Sequence, residues 1–553
     1  MSLISHRSIL YLLLGLLTIF VLVGHQLVPP MDRDESRFAQ ASKQMVESGD
    51  FITVRFQDEL RAKKPVGIYW LQSISAQLFG QDDIAVYRLP SLFGLLLALV
   101  GTYRAGLLLY QPRLALIGTA FLGTSLVVFA EAHLAKTDAL LMGLCVWQQL
   151  SLLMIYRAYL AGTTPPRSAF LAFWVIMGLA ILVKGPIAPL LAILTTATLM
   201  IWHRDLGLLR PLRLLSGFAI VAMLVLPWAI LVSLATDGAF LDIAIKGDFL
   251  AKVQSGQESH GAPPGTYLAL LVILLWPACL LLPRALLSFR QILANSEARF
   301  LLAWLVPFWL VIELTPTKLP HYPLPVLPAL ALLCVVGIRT ALPTTKLARY
   351  VITAFEFLCL LVAVVFAMLL IWSAMNYGGN DSVMAFAFAG LGAMAAACAS
   401  WFGLQWILTQ TMRPLGITLA AAMAFNIFAI GGLLPSLQRI HLSTAITKVI
   451  DQMPARPQAI AAAGYHEPSL VFLLGKDLLL LNGREAAFFL DEASGGVALV
   501  ESREHDVFLE TTKALGLKLE TPIQVSGINM SKGQSVIMLI YRVQMFDGAS
   551  RTG

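Results

Sequence analysis

The sequence predicts an α-helical polytopic membrane protein of about thirteen spans, followed by a small exported α/β domain. Three observations carry this expectation. Of 553 residues, 58% are apolar and only 13% are charged, too little charge for an ordinary soluble surface. Apolar runs recur from Ser8 to Leu434, each of about 17 to 25 residues and so able to cross a hydrocarbon core as a helix. After Arg439 the pattern changes to glycine, charge and short strand-like runs.

In chain order, the spans are expected to begin at Ile9, Val86, Leu114, Thr137, Ser168, Pro186, Leu214, Thr266, Arg299, His321, Tyr350, Ser382 and Pro414. The first continues to Val28 without a small-residue cleavage site and is read as retained. Basic loops resist translocation. With a cytoplasmic N-terminus, Arg7, Arg104, Arg113, Arg157, Arg167, Arg204, Arg210, Arg213, Arg284, Arg290, Arg299, Arg339, Lys346, Arg349 and Arg413 fall on the cytoplasmic side. The net charge of +7 then reports topology and not nucleic-acid binding. All five cysteines lie inside apolar runs, so neither a disulfide framework nor a cysteine metal site is expected.

The loop 29–83 departs from this charge rule. It holds Arg33, Arg37, Lys43, Arg55, Arg61, Lys63 and Lys64, mixed with Asp32, Asp34, Glu35, Glu47, Asp50, Asp58 and Glu59. Such a mixture suits a site for a charged substrate. Phe38, Ala41, Met45 and Val46 share one face of a helix expected over 34–48 and ended by Gly49 and Asp50, lying in the membrane interface. A strand-like run follows over 51–56, and Tyr69 and Trp70 return the chain to the headgroup level.

Two further segments put charge at an outer membrane edge: Gly178 to Pro186, with Lys184 at a helix break, and Glu313 to Pro323, which reads Glu-Leu-Thr-Pro-Thr-Lys-Leu-Pro-His-Tyr-Pro. Ionisable groups at such depths are costly and are by default functional candidates. No phosphate-binding Gly-rich loop and no zinc-hydrolase spacing is present, so a nucleotide donor is not expected.

Asp34-Glu35 after the first span, Lys63-Lys64-Pro65 before the second, and Lys318-Leu319-Pro320-His321-Tyr322 together resemble GT-C glycosyltransferases. The likeness is to the family of protein O-mannosyltransferases and lipid A aminoarabinose transferases, and is closer to the latter. It implies an inverting transferase in the bacterial inner membrane with its site facing the periplasm. The donor would be an undecaprenyl phosphate-linked aminoarabinose, the acceptor a phosphate of lipid A, and the consequence resistance to polymyxin-like peptides. Another polyprenyl-phosphate sugar, such as mannose, passed to protein or another glycan is the alternative. A lipid flippase is the rival from another class, which would also place binding groups near the midplane.

On this reading Asp34 is the central carboxylate, with Glu35 second. Lys64 and Arg37 are the leading carrier-phosphate ligands, with Lys63, Arg61, Lys318 and His321 behind them. Glu35, Asp138 or Glu313 would pair with the sugar amine, and Tyr69 and Tyr322 would line the cavity. No cofactor is required, although histidines such as His133, His260, His321, His441 and His466 could join acids around a divalent cation. A monomer is expected.

Residues 1–440 form the expected membrane domain and 441–553 the exported one. A loop at 235–265 is read as a gate over the site. In the C-terminal part, strands are expected near 459–464, 478–481, 497–500, 523–525 and 536–542, with a hairpin turn at Ser531 to Gln534. No catalytic constellation is visible there.

Overall fold

The computed structural model describes residues 5–244, 261–338, 340, 345–455, 457–493 and 495–544. Among these, eight helices are long and apolar enough to cross a membrane, or ten if each of two bent pairs is one span. Each expected span start falls in or next to a helix except His321, which lies in the loop between Ser296–Leu314 and Leu327–Cys334, and the count of thirteen is not reproduced. Ile187–His203 and Leu327–Ile338 are short, and Ser296–Leu314 carries Glu297, Arg299 and Glu313 within its length.

The site is positioned by the first eleven helices. They are α1 His6–Leu27, α2 Asp34–Ser48, α3 Gly67–Phe79, α4 Ile84–Leu109, α5 Pro112–Thr124, α6 Leu126–Ala132, α7 Asp138–Leu160, α8 Arg167–Lys184, α9 Ile187–His203, α10 Leu209–Leu212 and α11 Leu214–Ala235. α2 has the expected bounds and ends at Gly49, whose φ of 72° suits a residue without Cβ. The strand-like run before α3 is reduced to a two-residue β1, Arg55–Phe56, paired with β2, Glu59–Leu60. Tyr69 lies fully buried within the protein.

Both bent pairs have their freed backbone groups answered from within the protein, as a lipid environment demands. α5 and α6 meet at 64° around Ser125, and Thr266–Leu274 meets Ala278–Leu287 at 107°. The Ser125 hydroxyl donates to the Leu274 carbonyl at 2.7 Å, and the Asn426 amide donates to the Thr124 carbonyl at 2.9 Å. The two breaks therefore support each other.

Beyond residue 441 the chain forms a five-stranded sheet. Its strands are β3 Ile460–Ala463, β4 Leu479–Leu481, β5 Val497–Glu501, β6 Ile523–Asn529 and β7 Gln534–Arg542, in the order β4-β3-β5-β7-β6. β3 runs parallel to β4 and β5, while β7 is antiparallel to β5 and β6. This unit is clasped to the 29–83 loop. The Ser469 amide donates to Asp32 at 2.8 Å, the Arg33 guanidinium donates to the Ser531 carbonyl at 3.3 Å, and the Gln57 amide donates to the carbonyls of Lys476 and Leu478. Phe472 packs edge-on against Tyr87 at 5.6 Å.

Candidate active site

Ionisable side chains from five separate places converge where several helices end. α6, turned aside at Ser125, delivers Glu131. The short turn after it delivers Lys136, and Asp138 opens α7. α8 ends in Lys184, where a cation suits the helix C-terminus, and Gly185 with φ of 66° turns the chain away. His321 comes from the loop that follows Ser296–Leu314.

Their geometry is that of a balanced polar cluster in apolar surroundings. The Lys136 ammonium lies 3.0 Å from Glu131, and Lys184 is ion-paired to Asp138. His321 stands between the two carboxylates, with Nδ1 3.8 Å from Glu131 and Nε2 3.6 Å from Asp138. Both separations exceed hydrogen-bond length. Glu131 and Asp138 are 7% and 6% exposed, and one oxygen of Glu131 is buried without a hydrogen-bond partner. Burial holds the His321 imidazole well below its usual pKa, against the pull of Asp138, so the ring is neutral near pH 7. Burial opposes the charge on Lys136 too, but Glu131 and Asp138 outweigh it and push its pKa up.

Asp34 and Lys64 belong to this neighbourhood. Asp34 is exposed at the start of α2 and its field raises the Lys136 pKa, while the Lys64 charge acts on His321. The approach of α3 to α8 is permitted by Gly67, where a Cβ would come within 2.8 Å of the Leu182 carbonyl oxygen. That contact sets the Lys63-Lys64 run beside the Lys184 end of α8. Lys63 is exposed on the same turn. Tyr322 lies against the His321 ring, with centroids 5.2 Å apart.

The other expected residues are engaged elsewhere in the structure. Glu35 is 2% exposed and forms a bidentate pair with the fully buried Arg88 at 2.8 and 2.9 Å. It also accepts from the amides of Met31 and Ala135, while Arg88 donates to the carbonyls of His25, Val28 and Pro29. With its oxygens taken by these donors, Glu35 ties α1, α2, α4 and the 133–137 turn together and has nothing left for a substrate. Lys318 donates to the carbonyls of Ile312, Glu313 and Thr315, closing the C-terminal end of Ser296–Leu314. Glu313 accepts from the amides of Gly265, Tyr267 and Leu268, and so caps the helix Thr266–Leu274. Arg61 donates to the Tyr69 hydroxyl and lies 4.9 Å over the Phe38 ring, so Arg61 and Tyr69 form an internal stack. Arg37 acts on Asp32, on the side of the loop that meets the C-terminal sheet.

Glu131 is the residue that sequence reasoning missed. Its signal was a single acid inside an apolar run, without a flanking motif. The sequence places Lys184 only at a helix break. The ligand atoms of Glu131, Asp138 and His321 lie within 4.8 Å of one another, which is close enough to hold a divalent ion. Lys136 and Lys184 already neutralise both carboxylates, so an ion would have to displace an ammonium group. Of the other histidines, His133 donates to the Phe129 carbonyl, His441 to the Leu434 carbonyl, and His466 to the Ala462 and Leu481 carbonyls in the C-terminal sheet. His260 and most of the expected gate, 245–260, lie outside the described residues. The end of that loop is pinned by the Ala262 amide, which donates to the Pro316 carbonyl at 3.2 Å.

Comparison with known proteins agrees with the likeness read from the motifs. A family model described as dolichyl-phosphate-mannose-protein mannosyltransferase matches residues 63–231. The undecaprenyl phosphate-alpha-4-amino-4-deoxy-L-arabinose arabinosyl transferase of Erwinia tasmaniensis is 30% identical over 309 residues, 54% of this chain and 54% of that protein. Its namesake from Yersinia pestis (strain Pestoides F) is 28% identical over 376 residues, 65% of this chain and 66% of that protein. The alignments thus span between about half and two thirds of these curated relatives. Among solved structures, ArnT from Cupriavidus metallidurans bound to undecaprenyl phosphate superposes with a TM-score of 0.74 at 19% identity, over 97% of this chain and 98% of that one. The same protein in the apo state gives 0.73. The fold is therefore shared along nearly the whole chain.

Proposed function

We propose that this chain is an inverting glycosyltransferase that moves 4-amino-4-deoxy-L-arabinose from undecaprenyl phosphate to a phosphate group of lipid A, at the periplasmic face of the inner membrane. The observation that carries the reading is the paired cluster of Glu131, Lys136, Asp138, Lys184 and His321 with Asp34 and Lys64 beside it. The names of the curated relatives support the donor.

The chemistry follows from that charge balance. The bond from the sugar anomeric carbon to the carrier phosphate breaks, and the carrier leaves as undecaprenyl phosphate. A lipid A phosphate oxygen forms the new bond on the opposite face of the same carbon. That acceptor is already ionised near neutral pH, so no strong base is needed. Lys64, with Lys136 or Lys184 drawn from its carboxylate, stabilises the departing phosphate where water is excluded. The carboxylate so released, Glu131 or Asp138, is then available to the cationic amine of the sugar. Asp34, exposed at the mouth, positions the acceptor or balances charge at the sugar carbon.

The test is mass spectrometry of lipid A from a Gram-negative strain that makes the donor but lacks its own transferase. An aminopentose-sized addition with the parent chain, lost with Lys64→Ala, Asp34→Ala or Glu131→Gln, is the expected result. No addition despite verified membrane expression removes lipid A as acceptor. Transfer of mannose to protein, the activity in the matching family's description, is then the next reading to assay.

A further inference from the structure

The helices that present Asp138 and Lys184 at one end carry a second, unrelated concavity at the other. α7 has 23 residues and places Asp138 first, so its far end lies roughly 34 Å away at 1.5 Å per residue. There, a cavity of about 570 Å³ opens between the end of α7, the start of α8 and the 205–213 turn. Arg167, Arg210 and Arg213 line it against a single carboxylate, Asp205, which accepts from the Tyr159 hydroxyl and the Gly207 amide. The lining thus has three guanidiniums to one carboxylate, a net positive charge.

Two features set this cavity apart from the ordinary excess of arginine at a cytoplasmic membrane edge. Arg213 sits at φ 45°, a left-handed backbone that a residue with a Cβ adopts at a cost, and its guanidinium is held 5.7 Å over the Phe170 ring. The wall beyond is also built for lipid. Leu206, Leu215 and Phe218 are 68%, 87% and 58% exposed, and they lead from the cavity onto α11, part of the span with the smallest buried share among those long enough to cross.

We propose that this cavity binds the phosphate of an anionic lipid headgroup, with the acyl chains lying along α11. The site is distinct from the catalytic cluster, lies on the opposite membrane face, and is independent of which sugar the enzyme transfers. Guanidinium suits the ligand because its planar donors grip phosphate oxygens in pairs. An anionic glycerophospholipid satisfies both halves of the site, the arginines and the apolar wall, whereas free phosphate satisfies only the first.

The experiment is native mass spectrometry of the delipidated full-length chain in detergent, titrated with dioleoyl phosphatidylglycerol or dioleoyl phosphatidylcholine. Phosphatidylglycerol should bind about tenfold more tightly than phosphatidylcholine, and Arg210→Gln with Arg213→Gln should erase that preference. Lysine at both positions keeps the charge without the paired donors and should restore part of it, which separates loss of the site from loss of the fold. Millimolar inorganic phosphate should leave the lipid in place. Equal binding of the two lipids, glutamine variants that bind as the parent does, or displacement by inorganic phosphate would each overturn the proposal.

Discussion

Two buried acids show how differently one residue type is used. Glu35 meets four donors and neutralises Arg88, which is itself fully buried. Glu131 keeps one oxygen without a partner and faces a neutral histidine. Replacing Glu35 by alanine leaves Arg88 charged and buried, at a cost of about 3–5 kcal/mol. A loss of folded protein is expected, read as a lowered melting temperature of the purified chain. Glu131→Gln should fold, since Lys136 stays in the field of Asp138. Its sugar transfer should fall by about a hundredfold. The pair of outcomes, one in melting and one in rate, distinguishes a clamp from a working group. From sequence alone Glu35 stands out in a dense charged motif while Glu131, in apolar surroundings, does not, because charge density marks exposure to water better than it marks chemistry.

Helix ends do most of the positioning. The bounds of α2 were legible because Gly49-Asp50 is a strong stop signal. The cap that Glu313 places on Thr266–Leu274 was not, since its partners lie 45 to 48 residues away in the chain. Likewise, the 64° and 107° bends are invisible in hydropathy, which records apolarity and not direction. Gly67 is the element-scale test. A methyl group there would press on the backbone of Leu182, 2.8 Å away, and force α3 from α8. Gly67→Ala should cost about 1–3 kcal/mol and slow transfer as well, because Lys64 moves away from the cluster. Melting and rate measured on the same preparation check both.

For the whole molecule, the C-terminal strands and their hairpin were readable from alternation and turn residues, whereas their docking onto the membrane loop was not. Asp32 carries that docking at one point. Burial pushes its carboxyl up to about 6, partly offset by the Ser469 hydrogen bonds. In the unfolded chain it titrates near 4. The folded state therefore holds the proton more tightly, and stability from this group is present at low pH and is lost as pH rises from about 4 to about 6. Melting curves taken across that interval should show the trend in the parent, and Asp32→Asn should remove this contribution.

The shared use of α7 and α8 gives the protein a mechanical property. The two helices meet at both of their ends, through the ion pair of Asp138 and Lys184 at one and around the arginine-lined cavity at the other. A rod held in this way registers the thickness of the bilayer around it. A thinner membrane tilts the pair, and a tilt of about 5° swings each end of a helix of this length by roughly 1.5 Å. Reacting groups tolerate misplacement of about that size poorly. The expected outcome is that transfer in vesicles of short-chain lipid differs in rate from transfer in vesicles of long-chain lipid of the same headgroup, and equal rates would refute the coupling.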